Sequence, residues 1–255
     1  MTSFSWSSVD PAAILTASTN TTVTLWDITQ SSAVTQLIAH DKEVYDVAWQ
    51  PGHATGKDIF ASCGADGSVR MFDIRSLEHS TILYEANAPL SPPTTYQTTP
   101  STLSQPLLRL AFDPSQSSAL AAIHENSNSV LLIDIRVPGI PVAEFKGHKA
   151  PVNAITWSSE SSTTETGGAL CTVGDDGQVL VWDGSNAFTS NAPRDDLASS
   201  TNKSRNQAGA SKIVKTPILA YDAGAEVNNV SFGGSSTQGE WIGFTSGRTL
   251  RALRV

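Results

Sequence analysis

An all-β fold assembled from repeated four-stranded units is the prediction, and three observations carry it. The strongest is a run that ends in an apolar or aromatic residue plus Asp and returns along the chain: Leu25-Trp26-Asp27, Met71-Phe72-Asp73, Leu132-Ile133-Asp134 and Val181-Trp182-Asp183. Each closes a stretch of period-two alternation, such as Ser68-Val69-Arg70-Met71 or Gln178-Val179-Leu180-Val181, as a strand with one buried face reads. The second is the turn before each run. Asp66-Gly67 and Asp176-Gly177 are strong hairpin signals because Gly tolerates the positive φ of a two-residue turn, and Asn20-Thr21 and Asn126-Ser127 are weaker versions. The third is that helical periodicity is almost absent.

The remaining strands fall into place around these. Upstream of the turns lie apolar runs at Ala13 to Ala17, Ile59 to Cys63, Ala119 to Ile123 and Ala169 to Val173. Before those come Phe4 to Trp6, Val44 to Trp49, Leu107 to Phe112, Val152 to Trp157 and Val227 to Phe232. A fourth short run follows each Asp: Ala33 to Ala39, Thr81 to Tyr84, Pro141 to Phe145 and Pro217 to Tyr221. Four antiparallel strands per unit make the blade of a β-propeller, and about five blades are present in one domain over 1–255. Polar, Ser/Thr-rich tracts at 91–105, 158–168 and 185–215 read as surface loops between strands.

Composition narrows the functions. With 16 basic against 24 acidic residues the net charge is −8, so there is no overall positive field to collect phosphates, and direct nucleic-acid binding is not expected. No window holds the roughly 18 consecutive apolar residues of a membrane helix, and the N-terminus has no signal-peptide pattern. The two cysteines, Cys63 and Cys171, sit inside apolar strand-like runs, as buried reduced thiols do; a cytoplasmic and nuclear protein is the expectation.

Two units share a polar constellation. His40 precedes Val44 and His148 precedes Val152 at the same offset. Counting back from the aromatic that ends the third strand places a turn Asp and then a hydroxyl residue at matching distances. The sets are His148, Thr172, Asp176 and Trp182 in one unit, and His40, Ser62, Asp66 and Phe72 in the other. They resemble the WD40 family, in which such residues form a buried chain of hydrogen bonds from indole N–H through hydroxyl and imidazole to carboxylate. Phe72 has no N–H to give, so its network should stop at Ser62; the units ending at Trp26 and Ile133 lack the His. A catalytic Ser/Thr-His-Asp triad is the competing reading. It is disfavoured because the hydroxyls lie mid-strand in apolar surroundings rather than on an exposed elbow. Neither a phosphate loop nor a metal-ligand cluster accompanies them, so no cofactor or metal is expected.

Longer stretches are similar to the Transparent Testa Glabra and anthocyanin-regulator type of WD40 protein, whose animal relatives are cullin-RING ligase associated factors. These include Gln36 to Ala48, Phe60 to Arg75, Leu77 to Ile82, Arg136-Val137-Pro138, Val227 to Val230 and Leu253 to Val255. The resemblance implies a non-catalytic scaffold joining transcription factors of the MYB and basic helix-loop-helix types, holding a DYRK-type kinase, or serving as a cullin-RING ligase adaptor. It also implies a seven-bladed ring of which this chain corresponds to the C-terminal five blades. An enzyme or small-ligand binder using the central channel is the alternative, and it would show ionisable residues clustered at the channel mouth.

Two surfaces are candidates for partners. Phe72-Asp73-Ile74-Arg75 and Ile133-Asp134-Ile135-Arg136 resemble degenerate Trp-Asp-x-Arg boxes of ligase substrate receptors, so Arg75 and Arg136 are candidate carboxylate forks; the alternative is pairing within their own blades. The blade end that carries the first-strand starts and the hairpin turns presents Lys42, Glu43 and Tyr45, Lys149 and Asn153, then Glu226 and Asn228. This mixture suits a docking surface and equally an ordinary solvated rim.

Overall fold

The computed structural model describes residues 1–52, 58–86, 105–158, 168–185, 211–233 and 240–255. Almost all of the three polar tracts lies outside the described residues. Among the described residues, twenty strands form five sheets. Blade 1 runs β1 (Ser3–Trp6), β2 (Ala13–Ala17), β3 (Thr22–Asp27) and β4 (Ser32–Ile38). Blade 2 runs β5 (Val44–Trp49), β6 (Ile59–Gly64), β7 (Ser68–Asp73) and β8 (Ser80–Glu85). Blade 3 holds β9 (Leu107–Phe112), β10 (Ala119–His124), β11 (Ser129–Asp134) and β12 (Ala143–Lys146), with a fifth strand, β16 (Lys212–Val214), on β12. Blade 4 is β13 (Val152–Trp157), β14 (Ala169–Gly174), β15 (Gln178–Asp183) and β17 (Leu219–Asp222). Blade 5 is β18 (Val227–Phe232), β19 (Trp241–Ser246) and β20 (Thr249–Arg254).

The turns behave as their residues require. Gly67 and Gly177 take φ of 77° and 72°, and Asn126 takes 56°. Thr21 adopts 72°, a costly conformation for a β-branched residue, at the hairpin whose signal was weaker. Pro141 and Pro217 lie before β12 and β17 rather than within them, because proline has no N–H for the ladder. The tract 185–215 needs one correction. Its end, expected as loop, is β16, because Ile213-Val214 is its one pair of neighbouring β-branched aliphatic residues and an open sheet edge lies within reach.

First strands of neighbouring blades touch in the order β1, β5, β9, β13, β18, which places them along the inside of a propeller arc. Four apolar clusters fill the four junctions. Leu15, Val23 and Leu25 meet Val47 and Phe60; Cys63 and Leu83 meet Leu110 and Leu120; Ile123 and Phe145 meet Trp157 and Trp182; Val173 and Val181 meet Val230 and Phe244. Both thiols are free and buried, and burial pushes the Cys171 thiol up to about 12. The outer faces of the arc differ, for Phe4, Trp6 and Trp26 of blade 1 and Trp241 and Leu250 of blade 5 are exposed.

Polar ties cross the same junctions. The buried Asp46 carboxylate accepts from the Ser3 hydroxyl in blade 1 and from Leu110 N in blade 3 at 3.0 Å, so one side chain of blade 2 holds three blades. Burial pushes its carboxyl above the ordinary value, and those two hydrogen bonds oppose the rise. Trp157 Nε1 donates to Ala111 O at 3.0 Å, and Tyr84 meets His124 Nε2 at 3.0 Å.

Candidate functional site: a hollow at the first-strand starts

The two His-centred sets fold to the same geometry. In blade 4, His148 Nδ1 lies 3.0 and 3.1 Å from the two Asp176 oxygens, and Nε2 lies 2.8 Å from Thr172 Oγ1. Trp182 Nε1 donates to that same Oγ1 at 2.9 Å. The proton positions follow from the inventory of donors. An ionised carboxylate only accepts, so Nδ1 carries the proton, Nε2 accepts from the Thr172 hydroxyl, and that oxygen accepts from the indole. In blade 2, His40 Nδ1 lies 3.0 Å from Asp66 and Nε2 lies 2.8 Å from Ser62 Oγ. Phe72 stacks on Phe60 with ring centroids 5.1 Å apart instead of donating.

Electrostatics hold both carboxylates ionised. Burial alone would raise the Asp66 carboxyl, but the His40 hydrogen bond and the Ser68 contacts outweigh it and hold it well below the ordinary range. Burial is likewise the largest influence on Asp176, overcome by the Lys149 backbone N–H and by His148, so its carboxyl is also lowered. Ser62, Thr172 and His40 are buried and each hydroxyl is committed to an imidazole. The chemistry available is structural, since a buried strand hydroxyl has no room for an attacked carbonyl.

The end of the arc that carries β5, β9, β13 and β18 starts is built differently. Each of these strands pairs with its neighbour through a bulge, and the skipped residues are Tyr45, Leu108, Asn153 and Asn228. A bulge leaves one residue out of the ladder and re-aims its side chain. All four stand four residues before the aromatic that closes the strand, namely Trp49, Phe112, Trp157 and Phe232, and Thr2 stands at the same offset from Trp6. Thr2, Tyr45, Leu108 and Asn153 line one hollow of about 300 Å³ together with Arg109 and Val152. Thr2 Oγ1 donates to Val44 O at 2.6 Å, and Asn153 Nδ2 donates to Asp175 at 2.6 Å and to Val227 O at 3.0 Å, which fixes the rim.

Of the residues expected at this end, Tyr45 and Asn153 enter the hollow. Lys42, Glu43, Lys149, Glu226 and Asn228 are exposed around it without lining it. The sequence does not single out Thr2, Leu108, Arg109 or Val152, although counting four back from each first-strand aromatic finds the first two. Arg75 and Arg136 lie at the opposite end, past the third strands. Each folds back on the Asp two residues upstream: Arg75 Nε and Nη2 donate to Asp73 at 2.9 and 2.6 Å, and Arg136 does the same to Asp134 at 2.9 and 2.7 Å. The intra-blade pairing is thus formed, and the two arginine side chains remain 63% and 65% exposed. Among the described residues no group of three or more His, Cys, Asp or Glu is arranged to hold a metal.

Comparison with known proteins matches the family model "WD domain, G-beta repeat" to residues 31–73 and 139–183, the two segments that contain the His-centred sets. Over its whole length the chain is 42% identical to the DDB1- and CUL4-associated factor 7 homolog of Dictyostelium discoideum. It is 38% identical to an uncharacterized WD repeat-containing protein of Schizosaccharomyces pombe, and 35% identical to a WD repeat-containing protein of Saccharomyces cerevisiae. The chain spans 63%, 61% and 53% of the lengths of these relatives.

Proposed function

We propose that this chain, a WD40-repeat protein of propeller architecture, is a non-catalytic adaptor that seats protein partners on the face where its bulged residues converge. One observation carries the reading: Thr2, Tyr45, Leu108 and Asn153, from four successive blades, meet around a single hollow. An aromatic, two aliphatic side chains and one exposed guanidinium make the mixture that anchors a partner's side chain. Charged Lys42, Glu43, Lys149 and Glu226 form the surrounding rim, which sets orientation more than affinity. The ionisable groups that could do chemistry, His40 with Asp66 and His148 with Asp176, are buried inside blades and spent on structure.

The similarity to a protein named as a DDB1- and CUL4-associated factor supports membership of a cullin-RING assembly; a cytoplasmic and nuclear location is proposed with it from the composition alone. The sequence resemblance adds a DYRK-type kinase and MYB or basic helix-loop-helix transcription factors as cargo. Arg75 and Arg136, on the opposite face, are the proposed contacts with the ligase adaptor, leaving the hollow for that cargo.

The test is binding of a purified DYRK-type kinase to the chain carrying Tyr45→Ala and Arg109→Glu together. The expected result is at least a tenfold loss of affinity with an unchanged thermal melt. Undiminished binding by a well-folded double variant overturns the assignment of the face.

A further inference from the structure

Blade 3 carries a strand that does not belong to it. The chain leaves β15 in blade 4, and the end of the polar tract lies along the outer edge of β12, pairing Ala143 with Lys212, Glu144 with Ile213 and Phe145 with Val214. Lys212 N donates to Val142 O at 3.0 Å. After four more residues, including Pro217, the chain is back in blade 4 as β17. Among the described residues this is the one parallel pairing, and β4, β8 and β17 carry no further strand on their outer edges.

The pairing is weak by construction. Parallel ladders are slightly less stable per residue than antiparallel ones, and three residues is well short of the usual strand of about five or six. Ile213 is 51% exposed, so only Val214 on this strand packs against the apolar cluster around Phe145 and Trp182. The four-residue link to β17 adds an effective concentration on the order of millimolar, as a short tether does. An exposed edge of backbone N–H and C=O groups is a template for any extended chain.

We propose that the outer edge of β12 is a strand-addition site for an extended segment of a partner protein, and that β16 is its resident competitor. The occupant is defined by what β16 already satisfies there. It is an extended segment that continues the ladder from Val142 and places a β-branched aliphatic side chain where Val214 packs against the cluster. A partner segment that pairs along the whole of β12, from Ala143 to Lys146, displaces the three-residue strand and releases β16 from blade 3. This surface lies on the outer rim, away from the hollow, and stands whether or not that face binds cargo.

The probe is a fluorescein-labelled peptide of residues 211–217 read by anisotropy. Against the chain carrying Ile213→Pro and Val214→Asp, the peptide is expected to bind at least tenfold more tightly than to the parent, and a peptide carrying Val214→Asp is expected not to bind. A variant that melts with the parent and binds the peptide no better overturns the proposal. Hydrogen exchange on the parent gives a second reading that needs no variant. The amides of Lys212 to Val214 should exchange at least a hundredfold faster than those of β11, and equal protection overturns the exchangeable strand.

Discussion

Blades 2 and 4 solve one problem with different side chains. Both bury an Asp, a His and a hydroxyl in the same geometry, but blade 4 extends the chain to Trp182 whereas blade 2 stops at Ser62 and fills the space with stacked Phe60 and Phe72. The difference propagates to a backbone position. A Cβ on Gly147, the residue before His148, would stand 2.6 Å from Trp182 Cη2, so the indole demands glycine there. Blade 2 has Ala39 before His40, and the smaller Phe72 leaves room for it. At the other end of the network the compensation runs the opposite way. Arg70 Nη2 reaches Asp66 at 3.1 Å and Asp41 at 2.6 Å, while the matching position in blade 4 is the apolar Leu180. Blade 4 relies on its aromatic end, and blade 2 on its charged end.

Removing the imidazole separates the two most sharply. His148→Ala leaves Asp176 and Thr172 without their shared partner in a buried site, a loss of about 3 kcal/mol. His40→Ala leaves Asp66 still bound by Arg70 and Ser68, so its loss should be smaller. Urea melts of the two variants measure this, and equal losses would show that Arg70 contributes nothing to the carboxylate.

Swapping the aromatic ends comes next. Gly147→Ala and Phe72→Trp each force an extra group into a filled space, which costs about 1–3 kcal/mol. If the residue before His and the terminal aromatic are coupled, Phe72→Trp should regain stability when Ala39→Gly is added, and Trp182→Phe should soften Gly147→Ala. A double-mutant cycle on either pair that returns simple additivity refutes the coupling.

Acid probes the carboxylate ends. Both Asp66 and Asp176 are held below the ordinary carboxyl value, so the unfolded chain takes up the proton first as pH falls. Their contribution is therefore fully present above the unfolded value of about 3.9 and is lost as pH falls through the folded value. Asp66→Asn should cost stability at pH 7 and flatten the decline below about pH 4, and Asp176→Asn should do so less. A parent and an Asp66→Asn variant whose stabilities fall in parallel between pH 5 and pH 3 would sink this.

Local and long-range information divide what was legible. Strand order, hairpins and both His-centred sets could be read because each depends on residues close in sequence or at a repeated offset. The lining of the hollow is legible only in part. Tyr45 and Asn153 stood out as polar or aromatic residues, whereas Leu108 looks like any core leucine until the bulge removes it from the ladder. Gly147 carried no signal by itself, since its requirement comes from an indole 35 residues further along. β16 looks like loop in the sequence because three residues have no periodicity to detect. Its conformation is imposed by the edge of β12, which belongs to another blade.

The smallest effect belongs to the surface, where the two blade ends differ in kind from their interiors. Arg75 and Arg136 hold near-identical forks on Asp73 and Asp134, one in blade 2 and one in blade 3, with both guanidiniums in solvent. Water screens the Arg75–Asp73 pair, which contributes little to stability, whereas Arg136 pairs with a buried Asp134 that also accepts from the Arg136 backbone N–H at 2.9 Å. Arg75→Ala should accordingly leave the thermal melt unchanged, and Arg136→Ala should lower it only slightly, because Asp134 keeps its backbone N–H donor. If the forks are nonetheless pre-formed contacts for a ligase adaptor, the double variant should lose adaptor binding by at least tenfold while retaining kinase binding at the hollow. A double variant that melts far lower than the parent and keeps the adaptor would make the forks structural, and the opposite face would then hold no assigned partner.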